Sequence, residues 1–214
     1  VMDGGVVEFA IAAGMESTVA NDFTLPGGSG PLSLFGSFGS NRTAPTPGTA
    51  TRLTGKITGG SPDRIFRIGD TLIQQEHDNI TILDNAGNDF TGTVELWRGT
   101  LAITSDSALG HPDNDIFLST ENLLGSLRFD ADGITLNADR RLVLYNNLNP
   151  MPVNTQAFTG TIAGDISGNG NFVKQGEGTL ILTGTNAATG LTTVSAGSLN
   201  VAGTFTAAGG LVTV

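Results

Sequence analysis

Apolar and polar positions alternate along this chain in short bursts, without the longer beat of a helix. Residues 175–201, QGEGTLILTGTNAATGLTTVSAGSLNV, show it: Leu180 and Leu182, Leu191 and Val194, then Leu199 and Val201, parted by Gly, Thr and Asn. A period of two over so few residues predicts short strands with one buried side. Asn-Gly and Asp-Gly turns that would reverse a strand are nearly absent, and Ala-Gly, Thr-Gly and Gly-Asn corners replace them. A chain that turns corners without reversing is winding, so each strand stacks in parallel on the coil before. Coils of ~20 residues at a strand spacing of ~4.8 Å predict roughly nine to ten coils in a rod of about 45 Å.

The pattern also repeats at long range. NDFTGTVELWRGTLAI (88–103) aligns with NAATGLTTVSAGSLNV (186–201), matching Gly92 to Gly190, Gly99 to Gly197 and Leu101 to Leu199. LTGKITGG (53–60) resembles FTGTIAGD (158–165). Residues 1–110 and 111–214 therefore read as approximate copies of one long unit within a single β-helical domain, 1–214. Three stretches break the beat and read as loop insertions on the side of the solenoid: 26–48, 61–79 and 146–156. Phe35 and Phe38 in the first form a candidate contact loop, although plugging a coil or covering an end is the favoured role for them.

Composition sharpens this picture. With 31 glycines in 214 residues, 38% hydrophobic and 14% charged, the chain is an all-β sequence able to fold. A net charge of −10 argues against nucleic acid and anionic membranes as partners. The absence of cysteine excludes disulfides and thiolate metal sites. VVEFAIAA (6–13) fails as a signal peptide because Glu8 interrupts it and no basic region precedes it. With LVTV at the other end falling in mid-pattern, the chain reads as a piece of a longer protein.

Residues 171–201 carry a more specific resemblance. Lys174, Gly176, Gly178, Thr179, Leu180, Leu182, Gly184 and Asn186, followed by Thr192, Thr193, Val194, Gly197, Leu199 and Val201, resemble the autotransporter-associated β-strand repeat. The resemblance is strong over 158–201, good over 88–144 and faint before residue 70. Ala188 stands where the repeat has an aromatic residue, which the earlier copy keeps as Phe90. The family implies a right-handed parallel β-helix in secreted or surface-displayed bacterial passengers, with the repeat as a stalk and secretion-folding aid. The repeat positions Gly92, Gly99, Leu101, Gly176, Gly178, Leu180, Leu182, Asn186, Gly190, Gly197 and Leu199 then carry structure, not chemistry.

Because β-helices also host glycan-cleaving enzymes, carboxylate pairs matter. HPDND (111–115) sets Asp113 and Asp115 two residues apart, and FDADG (129–133) does the same for Asp130 and Asp132. The second pair reads as a turn, since the remaining ligands of a calcium loop are missing. His77 and His111 have no nucleophile motif beside them, and Trp97 reads as rim packing, with sugar stacking as the alternative. The expectation is a non-enzymatic, structural and adhesive stalk at the bacterial cell surface or outside the cell, without metal or cofactor. Its expected partners are a host surface or glycan, or a neighbouring envelope protein. A fibre subunit associating end to end and a carbohydrate-active enzyme remain as alternatives.

Overall fold

The strands predicted by alternation are present in the computed structural model, which describes residues 6–7, 14–34, 49–68, 80–97, 99–119, 125–145, 150–206 and 212–213. They assemble into sheets of ten, nine and four strands, and every pairing is parallel. From Gly125 onward the chain visits the nine-stranded, four-stranded and ten-stranded sheets in rotation, beginning with Gly125–Phe129, Ile134–Leu136 and Leu142–Tyr145. Each rotation lays one coil on the last. The fold is a parallel β-helix.

Stacking of like side chains fills its interior. On the ten-stranded sheet Phe66, Val94, Ile116, Leu142 and Ile166 follow one another in register. On the nine-stranded sheet Leu53, Leu83, Ile103 and Phe129 do so, and on the four-stranded sheet Leu136, Ile162 and Leu182. All of these side chains are buried. Each contributes the hydrophobic gain of a core residue, but only because the coils above and below cover it.

Coil length varies along the axis. Asn171 bonds Leu191 and Asp165 bonds Thr185, both 20 residues apart, whereas Thr100 reaches Ser126 across 26 and Arg52 reaches Glu16 across 36. The variable crossing runs from the ten-stranded to the nine-stranded sheet: residues 35–49, 69–79, 120–124 and 146–149 separate the strands in some coils, but only two residues do so at 97–98 and at 169–170. Crossings between the other faces are short apart from 104–115, which carries a 3-10 turn at Asp106–Leu109 capped by Ser105.

Two expectations need correction. The insertions are smaller than the composition implied, because parts of them are rungs. Residues 61–68 belong to the strand Ile57–Ile68, whose Phe66 and Ile68 are buried. A register shift between Gly60 and Ile65 absorbs the extra residues as a bulge. Pro150–Asn154 is also a strand, with Met151 and Val153 buried around Pro152. Its pairing to the preceding coil is confined to Leu127 with Val153 and Arg128 with Asn154, since proline has no N–H to donate. Gly30–Leu34 is likewise a strand, and Phe35 and Phe38 lie outside the described residues.

The long repeat also slips by one face. Gly99–Ile103 lies in the nine-stranded sheet, while its sequence counterpart Ser198–Val201 lies in the four-stranded one. The copies share the beat of strand, corner and strand, but not their position around the axis. Corner length, not side-chain chemistry, decides which face a strand joins.

Candidate functional site

The helical turn and the HPDND segment interrupt the regular strands between Gly99–Ile103 and Ile116–Ser119, and buried polar groups tie them down. Asn114, 2% exposed, accepts from the Gly92 backbone N–H at 2.8 Å and donates to the carbonyls of Phe90 and Leu109. Arg140, 1% exposed, donates from Nε to Asp106 Oδ1 at 2.9 Å and from its guanidinium to the Asn114 carbonyl at 2.8 Å. A buried guanidinium is tolerable only with such a full set of acceptors.

Outside this clamp opens a cleft of about 270 Å³ lined by Pro62, Thr91, Thr93, His111, Asp113 and Asp115. Asp115 is gripped through both oxygens by the Arg141 guanidinium and also accepts from the Arg141 backbone N–H. This pairing pushes the Arg141 pKa above its ordinary value. Asp113 is exposed, and its Oδ2 lies 3.6 Å from His111 Nδ1, which accepts the Asp113 backbone N–H. Asp130 and Asp132 are not part of this cleft; they occupy a corner between the nine-stranded and four-stranded sheets. Both oxygens of Asp130 bind Arg128, at 2.6 and 2.7 Å, and Asp132 accepts from the Thr159 N–H. Among the described residues no three His, Asp or Glu converge as a metal cage. His77 falls outside them.

Beside the cleft runs the outer face of the ten-stranded sheet. Val94 and Leu96 are buried, so Thr93, Glu95 and Trp97 take the outward alternation. Glu95 lies in register with Arg67 and Phe117, and Phe117 with Val143. Arg67 donates to Glu95 at 2.6 Å and sets its guanidinium 4.5 Å from the Trp97 ring centroid, a cation–π contact. Tyr145, two residues beyond Val143, is 60% exposed. Sequence reasoning missed this gathering, though the alternation in VELW, IFLS and LVLY carried the signal.

The remaining predicted positions lie along the coils and their corners. Leu101, Leu180 and Leu182 are buried and Leu199 is partly buried against the core. Gly92 and Gly99 lie in strands of the earlier copy; Gly176, Gly178, Gly190 and Gly197 lie in corners of the later one. Asn186 accepts the Ala188 N–H. Lys174, with no exposed surface, donates to the carbonyls of Gln175, Gly176 and Ala196 at 2.9, 2.7 and 3.1 Å. Burial pushes its ammonium below the ordinary lysine range, with Glu177 opposing. It pins one corner to the next coil.

That corner, with the coil it closes, falls within one of two segments, 79–103 and 172–201, that match the passenger-associated-transport-repeat. The chain carries this repeat. Both matched segments consist of strand–corner–strand units within the β-helix, and the repeat therefore accounts for stacking; the HPDND stretch lies between them in sequence, while Thr91 and Thr93 of the first segment line its cleft. The chain is also 33% identical over 118 residues to the adhesin BmaC autotransporter of Brucella suis biovar 1 (strain 1330), covering 52% of this chain. It spans about 3% of that protein's length. No solved structure matches the chain.

Proposed function

We propose that the chain is a non-enzymatic display segment of a secreted or surface-exposed autotransporter-type passenger, spacing its neighbours and making contacts through its outward face. One observation carries the reading: parallel register runs through coil after coil beneath the transport repeat, with its interior given over to packing. The adhesin to which half of the chain is similar supports a place at the cell surface. The catalytic alternative is weaker because Asp115, Asp130 and Asp132 are each committed to an arginine or a backbone N–H, leaving no opposed pair among these candidates to work as acid and base.

The test joins an epitope to the amino end of the chain in an autotransporter carrier with its own membrane barrel. Antibody binding to intact cells and epitope removal by external protease are expected. Deleting one 20-residue coil, 171–190, should preserve display. An epitope retained in the periplasm despite stable expression overturns the reading.

A further inference from the structure

We propose that the HPDND cleft and the adjoining outer face of the ten-stranded sheet form one binding site for a neutral oligosaccharide. The proposal deepens the contact role assigned above by naming the class of ligand. Register makes the two features continuous: Thr93 and Asp115 line the cleft, Glu95 and Phe117 stand two residues further along the same strands, and Trp97 two residues beyond Glu95. At about 3.3 Å per residue and about 4.8 Å per strand, Thr93 to Trp97 spans about 13 Å and the strand of Trp97 to that of Tyr145 about 10 Å. These are the dimensions of a di- or trisaccharide.

The chemistry of the face selects the occupant. Trp97 and Tyr145 are the sole tryptophan and tyrosine of the chain. With Phe117 they share one side of one sheet, although nothing in the packing of the core requires them there. Aromatic planes stack on the C–H faces of sugar rings, while planar charged groups bond the hydroxyls. Among the described residues the two cations on this face are already neutralised, Arg67 by Glu95 and Arg141 by Asp115. They offer hydrogen bonds without surplus positive charge, and the exposed Asp113 carboxylate disfavours a phosphate or an acidic sugar. The ion pairs also interrupt the apolar residues, so the face lacks the continuous hydrophobic centre of a protein interface.

The sole tryptophan supplies the reporter. Lactose, maltose, cellobiose and mannobiose are titrated into the purified chain while the Trp97 indole resonance and the His111 ring resonances are followed; digalacturonate serves as the acidic comparison. The expected result is a saturable millimolar response at both residues to at least one neutral disaccharide. Phe117→Ser and Asp113→Ala should each weaken it at least tenfold, with the far-ultraviolet dichroism unchanged. Phe117 is half-buried, so exposed His111→Ala provides a second variant with the same expectation. No response to any neutral sugar, a response to digalacturonate alone, or affinity unchanged in all folded variants overturns the proposal. Each of these leaves surface display, measured on cells, unaffected.

Discussion

The ring of Phe129 occupies the space that a β-carbon on Gly160 would fill: such a carbon would lie 2.1 Å from Cδ2 and 2.3 Å from Cε2. Gly160 sits in the strand Thr159–Ile162, in register with Ile134 and Leu180, and the missing side chain makes room for the aromatic ring of the coil before. Gly160→Ala should therefore cost about 1–3 kcal/mol by overpacking. Combined with Phe129→Leu, it should cost less than the two changes summed. A double-mutant cycle from urea unfolding measures the coupling.

Arg140 ties Asp106 of the helical turn to the carbonyl of Asn114. Replacement by Met keeps most of the volume but leaves buried acceptors and a carboxylate without their donor. A loss of about 3 kcal/mol is expected. Hydrogen exchange should accelerate first in residues 106–115, before the core strands respond.

Lys174→Met should also destabilise, by about 1–3 kcal/mol, because three carbonyls lose a donor and Met cannot replace it. The pH dependence has a definite sign. The folded pKa lies below the ordinary 10.5, so between the two values the unfolded chain holds a proton that the folded chain has released. Stability from this group therefore rises with pH across that window. The denaturation midpoint of the wild type should gain on that of Lys174→Met as pH climbs toward 10.5.

Asp89 provides the acid-side counterpart. The Lys56 ammonium, 2.6 Å from its carboxylate, holds its pKa below the usual 3.8, and Thr58 assists. Its stabilising contribution is complete above 3.8 and fades as pH falls through the lowered folded value. In Lys56→Met the Asp89 carboxylate, followed by carbon-detected NMR, should titrate closer to 3.8.

The winding was legible because it rests on local patterns: period-two alternation, scarce reversing turns and small residues at corners. Which face each strand joins was not legible. Leu101 and Leu199 occupy the same place in the sequence beat but different sheets, because any apolar side chain suits any inner face. Proline and polar content around Met151 and Val153 suggested a loop, while the structure buries Met151, Pro152 and Val153 together in a strand. The cleft was half legible. Asp113 and Asp115 stood out in HPDND, but Arg141, 26 residues away from Asp115, could not be assigned to it while coil length varied.

The uneven crossing between the ten-stranded and nine-stranded sheets gives the molecule a seam along which it can change without being rebuilt. Rungs on either side keep their partners whether the chain spends two residues there, at Trp97 and Arg98, or the whole of 35–49. Doubling such a segment costs only about 0.6 kcal/mol in closure entropy. New peptide can thus be spliced into one edge while the scaffold beneath keeps its sequence, so novelty and constancy are assigned to different sides of the same rod.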